Sequence, residues 1–327
     1  MELFKRIGQE IDIEKLSKEI CVSYQFGQYN RHELIFVGID DLSYYLYTSN
    51  GRYLVKIMNK EKTKEDISEF VQKNMIINKN CVHAPKIILH NEEAIFTYNI
   101  NDLQINLIVM ECIDGSDLYS INKVITKEDI DKLVDMVVTF HKIEEKIEIN
   151  DYDEYCFMKI KYDYEKTEKY LPKDIKTQIE EVIKEFDKIE LGKLPKCFIH
   201  GDLISTNIMK DKNNQLWLID FYESGVGIRI LDIVKILNSV IYNYQYEDET
   251  NELEEHFLHR YEEEMPLTEY ELKVLPVLRK ADALVGIMLE TYDALRGRDN
   301  VENQYWLEND TRLIKKLEKD KIRKMKR

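Results

Sequence analysis

The sequence has little glycine and proline, with 11 and 5 residues among 327. Linker-rich, collagen-like and low-complexity chains need far more of both, so these classes are excluded. Apolar residues make up 44% and charged residues 33% of the chain, as in a helix-rich globular protein. At this length we expect two lobes rather than one core.

Cysteine is also sparse, and its pattern excludes two kinds of site. The five cysteines are odd in number, widely spaced and never arranged as Cys-x-x-Cys, so neither a disulfide framework nor a zinc site is indicated. No apolar run of signal-peptide length follows Met1, and no stretch approaches 18 uninterrupted apolar residues. We therefore expect a cytoplasmic protein with reduced thiols and no membrane partner.

Positive charge is in deficit, with 47 Lys and Arg against 62 Asp and Glu, a net charge of -15. Such a surface repels nucleic acid and favours cations and cationic substrates. We expect no nucleic-acid partner, and the oligomeric state stays open. An acidic surface that only serves solubility is the ordinary alternative.

The first hundred residues have the pattern of a small sheet with one helix. Two β-rich runs, 42–48 and 52–58, flank Asn50-Gly51, and Asn-Gly is the strongest short hairpin signal because both turn positions need positive φ. The pattern further predicts a helix over 62–78 and strands over 94–98 and 105–110. From about residue 116 the pattern changes to long helices.

Two helix starts are marked in this later part of the chain. Thr126 and Thr268 each begin a capping-box-like segment before an amphipathic run. His141 lies on the apolar face of the first of these helices, where we expect it to pack structurally. Pro276 should kink or separate the helices around it.

The chemistry is concentrated between residues 197 and 235. His200-Gly201-Asp202 follows a short apolar run, Asn207 lies five residues beyond the aspartate, and Asp220 ends the predicted strand 216–219. A loop and a hairpin should bring Asp202, Asn207 and Asp220 together. Phosphoryl transfer from a nucleotide needs a carboxylate that accepts or orients the attacking hydroxyl, and hard oxygen ligands that hold Mg²⁺. Asp202 suits the first role, and Asn207 and Asp220 suit the second.

The pattern His-Gly-Asp-x-x-x-x-Asn followed by Ile-Asp-Phe resembles the aminoglycoside phosphotransferase and choline kinase-like family, a branch of the protein-kinase-like fold that includes a type of homoserine kinase. The resemblance implies an α+β, bilobal protein-kinase-like fold. A small antiparallel β-sheet lobe with one main helix would span residues 1–112 and bind the nucleotide, and a large, mainly helical catalytic lobe would span 113–327. Asp202 would be the catalytic aspartate, Asn207 and Asp220 metal ligands, and Asp232 a structural anchor for the following helix.

The resemblance also implies a nucleotide grip in the N-terminal lobe. Lys56, on the second hairpin strand, matches the lysine that contacts the α and β phosphates in kinases, and Glu69 is the best-placed carboxylate to pair with it. A solvated strand lysine is the alternative for Lys56. Three acidic neighbours compete with Glu69: Glu61, Glu65 and Asp66.

Two further segments complete the expected nucleotide site. Met110–Gly115 resembles the hinge between lobes, where backbone groups of Glu111 and Ile113 would bind the adenine edge. The nucleotide loop has a lone Gly38 in place of Gly-x-Gly-x-x-Gly, which favours a metabolite kinase over a protein kinase. Asp40 and Asp41 are unexpected so near the phosphates.

The C-terminal helices bear on the acceptor. They resemble those of homoserine kinase-type members, yet Val285 and Glu290, with Asp282 on the same element, stand where arginines would receive a substrate carboxylate. A cationic hydroxyl compound is therefore favoured, such as an aminoglycoside, amino sugar or amino alcohol. Ordinary solvent-facing charges are the alternative for Asp282 and Glu290.

The sequence thus predicts a small-molecule kinase that uses ATP, or GTP in its place, with Mg²⁺ and an alcohol group as acceptor. Two alternatives stay open. One is a homoserine kinase-like amino-acid kinase. The other is a non-catalytic scaffold that keeps the fold as a nucleotide-binding module.

Overall fold

The computed structural model describes residues 4, 6–8, 10–36, 41–80, 82–100, 103–149, 152, 155–296 and 301–325. The chain divides into two compact units. The first unit is Met1–Gly115 with Asp211–Tyr222, and the second is Ser116–Lys210 with Glu223–Arg327. The lobe division after residue 112 stays a prediction from the sequence.

The first unit is built on a five-stranded sheet whose paired strands are antiparallel, in the order β1-β2-β3-β5-β4. Its elements are α1 (Ile13–Ser23), β1 (Tyr29–Ile35), β2 (Leu42–Thr48), β3 (Gly51–Ile57), α2 (Lys64–Lys79), β4 (Phe96–Ile100) and β5 (Leu103–Glu111). The predicted hairpin is present, with Thr48 opposite Gly51 and Leu42 opposite Ile57. Its two turn residues are Ser49 and Asn50, and Gly51 is the first residue of β3. The sheet and helix α2 confirm the N-terminal half of the predicted α+β class.

One face of this sheet forms the core of the first unit. Alternate residues of β2 are buried, and Tyr44 on that strand is fully enclosed, because successive side chains of a strand point to opposite faces. Helix α1 closes the core with Leu16 and Ile20. The buried Tyr44 hydroxyl is satisfied by Ser17 Oγ at 3.2 Å.

The second unit is mainly helical, which confirms the predicted class. Its helices are α3 (Leu118–Ile121), α4 (Lys127–His141), α5 (Ile160–Thr167), α6 (Lys173–Phe186), α7 (Ile230–Lys235), α8 (Glu247–Glu264), α9 (Glu269–Leu295) and α10 (Val301–Met325). Five short strands lie between these helices along the chain: β6 (Gly115–Asp117), β7 (Lys196–Ile199), β8 (Ile208–Asp211), β9 (Leu216–Leu218) and β10 (Gly225–Ile228). Of these, β9 belongs to the first unit, and β6 and β8 each include one residue of that unit, Gly115 and Asp211. Strands β7 and β10 pair antiparallel. Helix α9 packs against α5, α6, α7 and α10 and so forms the centre of the unit.

Both predicted capping boxes are present, at Thr126 before α4 and at Thr268 before α9. Helix α9 runs unbroken through Pro276, so the predicted separation of two helices there is wrong. A proline removes the hydrogen bond to the carbonyl four residues earlier, here Leu272. Leu272 is exposed, so water can satisfy that carbonyl and the helix continues.

No helix in the described ranges combines the length and the apolar character needed to cross a membrane.

A buried ion pair fixes the start of α9. Glu271 completes the Thr268 capping box. Its carboxylate also accepts hydrogen bonds from Nε and Nη2 of Arg229, each at 2.7 Å. Both side chains are buried, so the loss of one charge would leave the other uncompensated.

We expect Glu271→Gln to lower the free energy of unfolding by about 3 kcal/mol, because the Arg229 charge would stay buried without its counter-ion. Urea denaturation measures the loss. Glu269→Gln, an exposed change in the same helical turn, is the matched control and should alter stability by less than about 0.5 kcal/mol. Equal effects of the two variants would contradict this account of the helix start.

Candidate active site

The loop that carries His200, Gly201 and Asp202 is held by a buried carboxylate. Asp232, on α7, accepts the backbone N–H of His200 at 2.8 Å and that of Gly201 at 2.9 Å. His141 Nε2 lies 3.1 Å from the same carboxylate, and His141 Nδ1 lies 2.7 Å from the hydroxyl of Tyr261. The predicted anchor Asp232 therefore binds the loop itself as well as α4.

Asp232 stays ionised despite being fully buried. Burial acts to raise the pKa of this carboxyl, but the hydrogen bond and charge of His141, the charge of His200 and the loop amide outweigh it, so the pKa lies below its usual value. A buried charge is stable only when such partners surround it. The shape of the loop is thus tied to the ionisation of one residue.

Gly201 is required in this loop for two reasons. Its φ is 88°, a conformation that residues with a side chain rarely adopt. A Cβ at this position would also lie 2.4 Å from the carbonyl oxygen of Glu223. The absence of a side chain therefore lets the loop turn closely enough to present Asp202.

Asp202 and Asn207 are brought together, as predicted. The Asn207 side-chain amide donates to the Asp202 carbonyl at 2.9 Å and to its carboxylate Oδ2 at 2.8 Å. A short 3₁₀ turn, Ser205–Asn207, creates this approach. Both bonds use only the amide nitrogen of Asn207 and do not involve its carbonyl oxygen.

Sequence reasoning missed a buried cation near Asp202. Lys235, on α7, pairs with Asp282 at 3.0 Å and donates to the carbonyl of Tyr155 at 2.8 Å. Burial acts to lower the pKa of Lys235, but the charges of Asp282 and Asp202 raise it above its usual value. The available signal was a lysine three residues after Asp232 in an otherwise apolar run, Ile230–Leu237.

Asp282 and Glu290 are both buried in α9, so neither is an ordinary solvent-facing charge. Glu290 accepts hydrogen bonds from Asn303 and from the Tyr155 hydroxyl. Burial raises the pKa of Glu290 to about 7, and the charges of Asp293 and Glu302 add to the effect against those hydrogen bonds.

A third carboxyl lies in the same region. Burial and the charge of Asp282 raise the pKa of Asp310 well above its usual value. Gly286 makes room for this carboxyl, because a Cβ there would lie 2.0 Å from Asp310 Oδ2. The region is therefore rich in carboxyl groups whose ionisation is unfavourable in the protein alone.

A small cavity of about 130 Å³ borders the catalytic loop at Ser205. Its walls include the rings of Tyr119, Tyr246 and Tyr305 and the ion pair between Lys210 and Asp129. Tyr305 also contacts Tyr119 edge to face, with ring centroids 5.0 Å apart. Aliphatic side chains outnumber these tyrosines in the lining, so the cavity combines an apolar wall with one ion pair.

In the first unit, Lys56 on β3 is set between two aspartates. Its Nζ lies 3.4 Å from Asp41 Oδ2 and 3.8 Å from Asp220 Oδ1. Glu69, the expected partner, instead pairs with Lys73 at 2.8 Å. The ion pairs found for Lys56 among the described residues are therefore with Asp41 and Asp220.

Asp220 itself lies two residues beyond the end of β9 rather than at its end. Its φ is 65°, unusual for a residue with a side chain, and such conformations concentrate at functional sites. The remaining expected nucleotide contact, Gly38, falls outside the described residues.

In the hinge segment, Glu111 and Ile113 each have one backbone group bonded within the first unit. The Glu111 N–H donates to the carbonyl of Lys86 at 2.8 Å, and the Ile113 carbonyl accepts from Arg52 Nη2 at 2.8 Å. Neither bond uses the Glu111 carbonyl or the Ile113 N–H.

Each predicted metal ligand carries an oxygen donor. Asn207 in the second unit has an amide oxygen and Asp220 in the first unit has a carboxylate, the ligand types that Mg²⁺ prefers over nitrogen or sulfur. Within the described ranges, no group of three or more His, Cys, Asp or Glu side chains is arranged to hold a metal. Any Mg²⁺ here would take few protein ligands, as is usual when the substrate phosphates supply the others.

In the second unit, the predicted catalytic aspartate is fixed by an asparagine five residues later. In the first unit, the predicted phosphate-binding lysine lies beside a second aspartate. Phosphotransferases use residues of these types. The model of the phosphotransferase enzyme family matches residues 33–275, well over half of the chain. The chain belongs to this family, as the sequence predicts, and is an enzyme that transfers a phosphoryl group to a hydroxyl of a small molecule.

Individual relatives are more distant. The structure of amicoumacin kinase hAmiN in complex with AMP-PNP, Ca²⁺ and Ami is similar with a TM-score of 0.66 at 16% identity, over 95% of this chain and 94% of that one. Choline kinase LicA from Streptococcus pneumoniae is similar with a TM-score of 0.63 at 19% identity, over 94% and 99%. Homoserine kinase from Rhodospirillum rubrum is 30% identical over 102 residues, 31% of this chain and 32% of that protein. The structural likeness confirms the kinase-like fold, and the match to the homoserine kinase spans about a third of its length.

We expect Asp232→Asn to destabilise the protein by about 3 kcal/mol, since an amide cannot accept from both loop N–H groups and from His141 without placing its own N–H₂ against a donor. Turnover should fall at least about tenfold, because a shifted loop misplaces Asp202. Urea denaturation and steady-state rates measure the two effects.

The control for this change is Asp248→Asn, an exposed position at the start of α8 that should leave both quantities unchanged. A stable Asp232→Asn variant with wild-type turnover would show that the loop does not depend on this anchor.

Glu290→Gln should change how stability depends on pH. The pKa of Glu290 is raised on folding, so the unfolded chain ionises first as pH rises above about 4.5, and the wild type loses stability until the folded pKa near 7 is passed. The variant lacks this loss, so between pH 4.5 and 7 its stability should improve relative to the wild type.

Thermal melts across this range measure the difference between the two curves. Glu255→Gln, an exposed glutamate on α8, should keep the wild-type profile. Parallel curves for wild type and Glu290→Gln would rule out a raised pKa at this position.

Proposed function

We propose that the protein is a Mg²⁺-dependent kinase that transfers the γ-phosphoryl group of ATP, or of GTP in its place, to a hydroxyl of a small molecule. The observation that carries the proposal is the pair of bonds from Asn207 to Asp202 on a loop held by Asp232. Asn207 restrains the Asp202 carboxylate, which can then accept the hydroxyl proton or align the hydroxyl for attack. The expected cytoplasmic location stays a prediction from the sequence.

The proposed nucleotide contacts lie in the first unit. Lys56 would bind the phosphates, since it carries a charge next to Asp220 on a rigid strand. The Glu111 carbonyl and the Ile113 N–H would bind the adenine edge. The other backbone group of each residue is already bonded, the Glu111 N–H to Lys86 and the Ile113 carbonyl to Arg52. Gly38 and Glu69 stay predicted contributors to this site.

Asn207 and Asp220 would hold Mg²⁺ through their side-chain oxygens. The ion supplies charge neutralisation for the triphosphate. The structural relative hAmiN, whose complex holds AMP-PNP and Ca²⁺, supports a divalent ion with a nucleotide in this fold.

For the acceptor we propose a small cationic hydroxyl compound. Four acidic side chains interact with one another and with the buried Lys235 in this part of the second unit: Asp202, Asp282, Glu290 and Asp310. An ammonium group would stabilise the charged forms of Glu290 and Asp310, which burial disfavours.

Aminoglycosides, amino sugars and amino alcohols all fit this description. The cavity beside Ser205 is a separate feature, since its wall includes none of these four acidic residues. One of the structural relatives is named a choline kinase, which supports an acceptor that carries a cationic group.

A homoserine kinase-like activity is the second candidate, because the relative from Rhodospirillum rubrum carries that name. Its substrate has a carboxylate, which the acidic residues of α9 would repel. A non-catalytic scaffold is disfavoured, since Asp202, Asn207, Asp220 and Lys56 are all present.

Asp202→Asn tests the proposed function. After an ATP-consumption screen over aminoglycosides, amino sugars, choline-like alcohols and hydroxy amino acids, the variant should lose about 10²–10⁴ in kcat on the best acceptor, with KM for ATP nearly unchanged. Asp174→Asn, an exposed aspartate at the start of α6, should turn over at the wild-type rate.

Wild-type turnover by Asp202→Asn would refute the assigned role. A response limited to hydroxy amino acids would refute the cationic acceptor and favour the homoserine kinase-like candidate.

A further inference from the structure

Asp41, the residue just before β2, is a buried carboxylate with several hydrogen-bond partners. Its side chain is only 1% exposed. The Asn59 backbone N–H donates to Oδ1 at 2.9 Å, the Tyr222 hydroxyl donates to Oδ2 at 2.9 Å, and Lys62 Nζ lies 3.0 Å from both oxygens. The carboxylate is therefore held rigidly by three groups other than Lys56.

Lys56 is arranged around this fixed carboxylate. Its Nζ lies 3.4 Å from Asp41 Oδ2 and 4.5 Å from the centre of the Tyr222 ring. The lysine side chain is 14% exposed, so it keeps limited access to solvent. A carboxylate on one side and an aromatic face on the other restrict an otherwise flexible chain.

Glu69, the carboxylate predicted to pair with Lys56, has a different partner. Its carboxylate pairs with Lys73 at 2.8 Å, four residues along α2, and Lys73 Nζ in turn donates to the Tyr222 carbonyl at 2.6 Å. Lys73 is itself buried and needs this counter-ion. Moving Glu69 to Lys56 would leave the Lys73 charge uncompensated.

We propose that Asp41, and not Glu69, is the carboxylate that positions Lys56 for the nucleotide phosphates. The inference rests on the proposed ATP-dependent function and assigns a positioning residue within that site. Asp41 acts through Lys56, without contact to the nucleotide being required.

This arrangement has a second effect on the site. Because the Tyr222 hydroxyl also binds Asp41, the segment that carries Asp220 is attached to the same carboxylate as Lys56. The buried Asp41 thus positions both Lys56, the proposed phosphate contact, and the segment that carries Asp220, a proposed metal ligand. Pre-ordering both groups lowers the entropy lost when the nucleotide binds.

The test compares the binding of MgATP and of adenosine by calorimetry in the full-length protein. Adenosine has no phosphates, so it reports the integrity of the remaining nucleotide site. Asp41→Asn should weaken MgATP binding about tenfold or more and change adenosine binding less than about twofold. Glu69→Gln should weaken MgATP binding less than Asp41→Asn does, and Glu65→Gln, an exposed change on α2, should match the wild type.

A double-mutant cycle then shows whether Asp41 acts through Lys56. Once Lys56→Met has removed the ammonium, adding Asp41→Asn should cost little further MgATP affinity. Equal losses in both backgrounds would overturn the proposal, as would a parallel loss of adenosine binding or a greater loss in Glu69→Gln.

Should Asp41→Asn fail to fold, Tyr222→Phe serves in its place, because it removes one bond to Asp41 and keeps the ring. It should weaken MgATP binding a few-fold and leave adenosine binding unchanged, and wild-type MgATP binding would count against the proposal. If the wild type itself binds no MgATP, the proposed function fails and this inference with it. If the wild type binds MgATP and neither variant is impaired, only the inference fails.

Discussion

The loop that carries His200, Gly201 and Asp202 depends on one buried carboxylate, Asp232. An isolated charge in a protein interior is prohibitively unfavourable, so Asp232 can remain ionised only while His141 and the two loop amides surround it. The partners come from two elements, the loop and α4, and His141 extends the chain of bonds to Tyr261 on α8. If the loop moved, Asp232 would lose hydrogen bonds that stabilise its buried charge, and the folded state would be destabilised. The loop geometry is therefore coupled to the stability of the fold.

The first unit uses the same physical device for a different purpose. Asp41 is also buried and also satisfied by several donors, but two of its partners are ammonium groups, from Lys56 and Lys62, where those of Asp232 are backbone N–H groups and a histidine. A carboxylate that binds backbone N–H groups holds a loop in one shape, whereas a carboxylate that binds ammonium groups holds those cations in place. The difference matches what each unit must contribute, a carboxylate at a defined place in one case and a cation in the other.

Local patterns were sufficient for the elements and for part of the site. The Asn50-Gly51 hairpin, the capping boxes of α4 and α9 and the approach of Asn207 to Asp202 all depend on residues close in sequence. Pairings between distant elements carry no such signal: Lys56 has carboxylates before and after it, and spacing alone does not distinguish Asp41 from Glu69. Lys235 escaped notice because its partners, Asp282 and the Tyr155 carbonyl, are 47 and 80 residues away. The assignment of residues 211–222 to the first unit is likewise decided by packing.

The proposal of a cationic acceptor rests on the charged groups buried in one part of the second unit. Lys235 is paired with Asp282, so its charge is already compensated, while Glu290 and Asp310 have pKa values shifted upward by burial. Burial is the main cause of both shifts, although the charge of Lys235 lowers the pKa of Asp310. An arriving ammonium group would shift the ionisation equilibrium of both carboxyls towards the charged form. An arriving carboxylate would shift it the other way and gain no attraction. Burial of these carboxyls therefore supports the proposed cationic acceptor, since charge pairing is strongest where water is excluded.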